Sequence, residues 1–391
     1  MDAHSKRTGH AHRVHTVFCP IVPPHVLDHL SRSGDPTLYE PARRTLEHDA
    51  LQRTRRRITT VRMTAAPAAP GAAADAGKKP RRTISDAGNR EQLPGTKVRS
   101  EGEEPTDDAS VNRAYAGLGA TFELFLTAFS RFSIDGAGMP LDATVHYGEK
   151  YGNAFWDGER MVFGDGDGSI FRDFTLPVDV IGHELTHGVT QYTANLAYFG
   201  QSGALNESVS DVFGSLIKQY GLGQSADQAD WLIGDGLFTD HVEGTALRSM
   251  KAPGTAYDDD VLGKDPQPAT MEDYVHTGSD NGGVHINSGI PNHAFYRLAT
   301  ELGGNAWERA GQVWYDALTS GDLTPDADFA AFAGATVSAA ASRFGDGSPE
   351  REAVLKSWSA VGVSPAEPSP SAAAAAAQAT PGAPPAKRGM R

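Results

Sequence analysis

The sequence predicts an α+β fold of two domains: a β-rich N-terminal domain over residues 81–190 and a mainly α-helical C-terminal domain over 191–362. Three observations carry this. A chain of 391 residues, 39% hydrophobic and 21% charged, is long and apolar enough to bury two cores. The runs ATVHYG and ERMVFG read as strands around an Asp157-Gly158 turn. From about residue 178 onward the apolar spacing becomes helical.

Residues 1–50 read as a leader. Within it, VFCPIVPPHVLDHL at 17–30 is an apolar, Pro-punctuated segment followed by a short helical candidate. No uninterrupted apolar stretch of the secretory-signal kind lies there, so cytoplasmic synthesis is the default, with export by another route left open. Cys19 is the one cysteine, which rules out an internal disulfide framework. Seven of the 14 His fall in the first 48 residues and are expected to be solvated rather than metal-bound. Residues 1–62 hold 11 Lys and Arg against 6 Asp and Glu, a balance of +5 that leaves −19 of the net −14 for the rest. A basic leader on an acidic body implies mutual attraction. A nucleic-acid partner would fit the charge too, but no nucleic-acid motif accompanies it.

Residues 51–80, Arg-rich and then Ala/Pro/Gly-rich, have nothing to build a core from and are expected to be a disordered linker. VNRAYAGLGATFELFLTAF at 111–129 has helical spacing. The GDGDG run at 164–168 lacks the acid at the twelfth position of a calcium loop and reads as structural. Helices are expected at 292–302 and 306–319, and the Ala/Pro-rich tail at 363–391 is expected to be disordered. No run of 18 apolar residues suggests a membrane span.

The chemistry concentrates in VDVIGHELTHGVT at 178–190. On a helix His183 and His187 share one face, so both imidazoles can converge on one ion with Glu184 beside them. A tetrahedral catalytic zinc needs a third protein ligand. GALNESVSDVFGSLI at 203–217 reads as a second helix, placing Glu207 to complete the set and Asp211 to accept the ring N–H of a ligand histidine.

With these strings, and with NAFWDGERMVFGDGDG at 153–168, HELTHGVTQYTANLAY at 183–198 and DNGGVHINSGIPNHAFY at 280–296, the sequence resembles the thermolysin family of zinc endopeptidases from about residue 81 to 362. The resemblance implies a cleft between the two domains, one catalytic Zn2+ on His183, His187 and Glu207, and Glu184 as general base. It implies that His285 and Tyr198 donate to the oxyanion and that Asp280 orients His285. It further implies that Asn153 and Arg248 bind the substrate backbone, and that Phe171, Phe174, Val180, Ile233 and Leu247 line a pocket for the bulky apolar side chain after the cut bond. His146, His241, His276 and His293 match no ligand position.

The leader, with Cys19 before a Pro-Pro step, resembles the short propeptide of the protealysin-like branch, which implies an inhibitory segment removed on maturation. Bonds before Leu51, Ile58, Val61 and Met63 are then candidate processing sites. Three roles stay open for Cys19: a thiolate capping the zinc, an apolar packing residue, or neither. At the family's double calcium site Asp179, Asp230 and Asp235 are retained, whereas Lys218 and Leu232 stand in place of carboxylates. One calcium or none is expected, with an ammonium in place of an ion. Peptide or protein substrates, the chain's own propeptide and a proteinaceous inhibitor are the implied partners. A monomer is expected, without nucleic-acid or membrane partners. The rival reading is a silent peptide-binding protein that keeps the fold. Retention of Glu184, Tyr198 and His285 together argues against it, since binding alone needs none of them.

Overall fold

The structure, a computed structural model, describes residues 18–62 and 78–367, and of residues 53–62 the backbone only. Its N-terminal half is built on a six-stranded sheet of β1 (Cys19–Pro20), β2 (Arg82–Asp86), β3 (Thr96–Ser100), β4 (Leu141–Val145), β5 (Ala154–Trp156) and β6 (Arg160–Phe163), in the order β1-β5-β6-β4-β2-β3. The Asp157-Gly158 turn joins β5 to β6. The expected pairing of ATVHYG with ERMVFG around that turn is therefore corrected: β4 lies on the other side of β6 and runs parallel to it. A parallel pair cannot be closed by a tight turn, whereas Asp157 Oδ1 accepts the N–H groups of Glu159 and Arg160 and closes the antiparallel one. The leader adds the outermost strand, β1, antiparallel to β5.

The expectation of a disordered linker over 51–80 is corrected in its first part. After β1 come α1 (Pro24–Leu30) and α2 (Pro36–Arg62), so α2 runs through the first part of the expected linker. Residues 51–62 contain neither Gly nor Pro and are rich in Arg, which favours a helix. The Ala/Pro stretch with Met63, four leader histidines (His4, His10, His12 and His15) and the tail from 368 lie outside the described residues. Of the tail, Val363 is buried and Ala366 N–H donates to Ala330 O at 2.8 Å. His25 and His48 correct the expectation of solvated leader histidines. His48 is buried with Nε2 at 2.9 Å from the Tyr147 hydroxyl, and His25 Nε2 lies 2.8 Å from that of Tyr257, because α1 and α2 pack onto the domains.

Helix α3 (Ala109–Phe129) starts where Asp108 accepts the N–H groups of Ser110 and Val111, and it buries Val111, Leu118, Phe122 and Phe125. Gly117 lets the next helix, α4 (Val178–Gln191), come close, since a Cβ there would fall 2.4 Å from Ile181 Cδ1. Helix α5 (Gly200–Leu222) crosses α4 with backbones nearly touching: a Cβ on Gly214 would sit 2.5 Å from Asp179 O, and one on Gly182 the same distance from Ile217 Cδ1. That proximity brings the acids of α5 to the histidines of α4. The short pair β7 (Leu232–Ile233) and β8 (Arg248–Ser249) follows.

The C-terminal domain is completed by α6 (Asp280–Asn287), α7 (Gly289–Leu302), α8 (Ala310–Thr319), α9 (Phe329–Phe344) and α10 (Pro349–Ala360), around a Trp314–Trp358 stack at 5.6 Å. Residues 306–309, expected to open α8, form a turn instead. Arg309 takes non-helical angles and its guanidinium donates back to the Leu302 and Gly303 carbonyls. The GDGDG loop is held by Asp167, whose Oδ1 accepts three successive N–H groups, from Ser169, Ile170 and Phe171.

Candidate active site

Helix α4 buries His183, Glu184 and His187 on the face toward α5 and β5. The two histidine Nε2 atoms lie 3.0 Å apart. Glu207 completes the group, with its carboxylate oxygens 3.5 Å from His183 Nε2 and 3.6 Å from His187 Nε2. Two ligand nitrogens at a zinc–nitrogen distance of about 2.0–2.1 Å in a tetrahedral site sit about 3.3 Å apart, so this spacing suits zinc. Glu207 Oε2 is buried without a hydrogen-bond partner among the described residues, as a group awaiting a cation would be. The chain's donors fit the metal.

The far ring nitrogens are occupied. His183 Nδ1 donates to Asp211 Oδ1 at 2.7 Å, and His187 Nδ1 donates to Asn206 Oδ1 at 2.8 Å with Ser210 Oγ at 3.0 Å. Each bond fixes the tautomer that presents Nε2 inward. Burial, against the pull of Glu207, pushes His187 down to about 4, so it is the neutral imidazole a metal needs. Although burial works against it, Glu207 is held below its ordinary value by His285, His187 and His183.

Asp211 does more than support His183. Burial alone would raise it, yet Arg248 and His183 hold its carboxyl well below the usual carboxylate range. It accepts from Arg248 Nε and Nη2, each at 2.8 Å, and from Asn292 Nδ2 at 2.8 Å. Asn206, Ser210 and Asn292 escaped the sequence reading. Only Asn206 carried a signal, as the neighbour of Glu207 on a helix facing α4.

Glu184 Oε2 accepts the Trp156 N–H at 2.9 Å, whereas Oε1 is buried without a hydrogen-bond partner among the described residues. Burial and then the charge of Glu207 push this carboxyl well up. On the opposite wall, Tyr198 donates to Glu207 and its hydroxyl lies 3.2 Å from His285 Nε2. His285 Nδ1 donates to Asp280 Oδ1 at 2.6 Å, and Asp280 Oδ2 accepts the His285 backbone N–H at 2.9 Å. Burial opposes it, but Asp280 and Glu207 hold His285 above its ordinary value. This grip depends on a left-handed turn in which Asp280, Asn281, Gly282 and Gly283 all have positive φ.

The leader lies across these groups. Ile21 N–H donates to Ala154 O at 3.1 Å, and Arg248 Nη1 donates to Ile21 O at 3.1 Å. Val22 N–H donates to Asn153 Oδ1 at 2.9 Å, and the Pro20 carbonyl lies 3.2 Å from His285 Nε2. Cys19, buried, places its sulfur with ligand atoms of His187 and Glu207, all within 4.8 Å of one another. Phe171, Phe174, Val180, Ile233 and Leu247 are all buried, as are Ile21 and Val22, in the continuous apolar core that runs through both domains. Asn153, fully buried, also donates to Asp49 Oδ2 of α2 at 3.1 Å.

The expected calcium acids are only partly together. Lys218 Nζ lies 2.7 Å from Asp230 Oδ2 and 3.5 Å from Asp179 Oδ2, while Asp235 is exposed. Burial, only partly offset by Lys218, lifts Asp179 to about 6. Against its own burial, Lys218 is held above its ordinary value by Asp179 and Asp230. Of the four histidines without a ligand role, His146 bridges Asp108 Oδ2 and Asp165 Oδ1, each at 2.8 Å, a structural link.

Two buried histidines and a carboxylate converging on one point, with a second carboxylate beside them and a peptide strand laid across, define a zinc metalloendopeptidase. The family models agree: "Thermolysin metallopeptidase, catalytic domain" matches residues 56–191, and "Thermolysin metallopeptidase, alpha-helical domain" matches 194–363. The chain belongs to the thermolysin family of metallopeptidases, in its protealysin type. It is 49% identical over 347 residues to the "Extracellular metalloprotease" of Pectobacterium carotovorum subsp. carotovorum, covering 88% of this chain and 96% of that one. It is 42% identical to the "Extracellular minor metalloprotease" of Serratia marcescens, with 73% of each chain covered. Among solved structures, the precursor of protealysin, a metalloproteinase from Serratia proteamaculans, matches with a TM-score of 0.80 and 50% identity, covering 88% of this chain and 100% of that one. The leader is thus a propeptide, and the enzyme a zinc neutral endopeptidase made as a precursor. The cytoplasmic default is overturned, because relatives this similar are named extracellular, which points to secretion.

Proposed function

We propose that the chain cuts peptide bonds on the N-terminal side of bulky hydrophobic residues, with Glu184 as general base. The observation that carries the reading is the leader bound by Ala154, Asn153, Arg248 and His285 as a substrate would be, with the Ile21 side chain fully buried; Phe171, Phe174, Val180, Ile233 and Leu247 are the residues we assign to the pocket after the cut bond.

His183, His187 and Glu207 would hold the zinc. When bound, zinc supplies Lewis acidity that brings the deprotonation of a water toward neutral pH. Glu184 takes the proton on Oε1, since Trp156 N–H occupies Oε2. As the carbonyl carbon becomes tetrahedral, negative charge gathers on its oxygen. His285, aimed by Asp280, and the Tyr198 hydroxyl stabilise that charge from the C-terminal wall. Arg248 and Asn153 fix the backbone after the cut bond, and Asp211 ties Arg248 to His183, so the substrate grip and the metal ligand share one anchor.

In the precursor the leader fills the cleft and Cys19 faces the metal position, which supports the capping role among the three open to it. The Lys218 ammonium between Asp179 and Asp230 supports one calcium or none. We take residues 81–190 and 191–362 as the two halves, and a monomer acting on peptides and proteins, checked by a proteinaceous inhibitor, as the working unit.

The test compares wild type with Glu184→Ala. The mass of each chain is followed beside cleavage of an internally quenched peptide with Leu after the scissile bond. Wild type is expected to lose its leader and cut the peptide in a chelator-sensitive way, and Glu184→Ala to keep zinc and do neither. Equal activity in the variant would sink the assignment.

A further inference from the structure

The leader's path gives a register for substrate, on the functional reading just proposed. Pro20 offers its carbonyl to His285 and Ile21 its carbonyl to Arg248, so the Pro20–Ile21 bond occupies the place of the bond to be cut. Counting back, Phe18 is the third residue before it. Successive side chains of a strand point to opposite faces. Cys19 faces the metal ligands, so Phe18 and Pro20 share the other face, where Phe18 joins the β5 side chain Phe155 in a separate apolar cluster.

There Phe18 meets a prepared surface. Its ring lies 4.7 Å from that of Phe155 and is 3% exposed. Phe155 is in turn held edge-on by Tyr147 at 5.8 Å and Tyr151 at 6.1 Å, which contact each other at 5.5 Å. All three rings belong to the catalytic domain. Ala87, Val162 and Leu93 of the same domain pack with them, and α2 adds further cover: His48 reaches the Tyr147 hydroxyl, and Asp49 accepts from that of Tyr151 at 2.6 Å. Loss of the leader therefore uncovers an aromatic platform, rimmed by two phenol hydroxyls, at a fixed distance from the cut bond. None of the catalytic steps above uses it.

We propose that Phe155, backed by Tyr147 and Tyr151, determines specificity by receiving an aromatic side chain on the third residue before the cleaved bond. The substrates it selects are extended peptide segments with an aromatic residue there and a bulky apolar residue immediately after the cut.

The test uses the enzyme after its own processing and three quenched peptides that differ only at that third position: Phe, Ala or Asp. Aromatic contact together with burial should favour Phe over Ala roughly tenfold in kcat/KM, with Asp lowest. In Phe155→Leu the Phe-to-Ala ratio should fall toward one, and because it is a ratio within one preparation, a general loss of folded enzyme leaves it unmoved. A ratio near one in wild type, or a ratio that survives in Phe155→Leu, overturns the platform while leaving the peptidase reading intact. No cleavage of any peptide overturns that reading and this inference with it. A second measurement covers failure of the variant to fold: in the full-length precursor, Phe18→Ala should let Cys19 react about tenfold faster with a thiol reagent, and Phe18→Trp should restore protection. An unchanged rate counts against the platform.

Discussion

Replacing Lys218 by Leu leaves Asp179 as a buried carboxylate beside Asp230, and the size of the loss follows from the proton Asp179 can take up. Breaking a buried ion pair commonly costs about 3–5 kcal/mol. Here the cost is capped, because burial already lifts Asp179 to about 6. Its folded value lies above the unfolded one, so its contribution to stability is full at low pH and is lost as pH rises through about 6 in the wild type. Without Lys218 the value climbs further and the acid stays protonated at pH 7. The added loss then cannot exceed the gap between pH 7 and about 6, one unit or about 1.4 kcal/mol. The exposed Lys218–Asp230 contact adds up to about 1 kcal/mol. The total of about 2 kcal/mol should lower Tm by roughly 4–8 °C. The cap rises by up to about 1.4 kcal/mol for each pH unit above 6. The gap between variant and wild type should therefore be small at pH 6 and widest at pH 8. The assay is thermal unfolding of the zinc-loaded precursor in a Glu184→Ala background, which removes self-digestion, at pH 6, 7 and 8. Millimolar calcium should raise the Tm of Lys218→Glu, which restores a carboxylate to that position, by more than it raises that of the wild type. A gap independent of pH refutes the reasoning.

Other consequences are open to direct measurement. The Cys19→Ala precursor should cut the quenched peptide before any change in its mass, whereas wild type stays silent until the leader is removed; silence in the uncut variant would return Cys19 to a packing role. Tyr198→Phe removes one oxyanion donor and should lower kcat by about 100-fold with little change in KM, and an unchanged kcat would exclude Tyr198 from the reaction. His25 is pushed down to about 4 by burial, with Arg248 and His285 adding to the effect and Asp280 opposing it. The docked leader thus favours the neutral ring, and docking should weaken as pH falls from about 6.5 towards 4. Cys19 in the Glu184→Ala precursor should accordingly become reactive to dithiodipyridine over that window, and far less so in His25→Phe; parallel curves would exclude the histidine.

The chemistry was legible in the chain because it is local. His183, Glu184 and His187 sit within a single helical turn and a half, and Glu207 and Asp211 repeat the same spacing on α5. Helical geometry alone places each set on one face. The helix expected at 111–129 announced itself by its apolar spacing; its start at Ala109 and the Asp108 cap came only from the structure. Nothing local, however, distinguishes His285 or Arg248 from any core histidine or surface arginine; the resemblance to a family singled them out, and only the packing shows what they touch.

What the sequence by itself determined was the class of fold, the candidate metal ligands and the presence of a leader, since each rests on residue type and short spacing. Tertiary structure alone decided where the leader goes. A two-residue strand, Cys19–Pro20, carries too little pattern to be read, and its partner β5 lies more than a hundred residues away. The same holds for the aromatic platform, for the link from Asp211 to both His183 and Arg248, and for Lys218 between two acids. Each joins groups distant along the chain, and such contacts follow from which backbones can approach, here through Gly117, Gly182 and Gly214, rather than from any periodicity of the residues themselves.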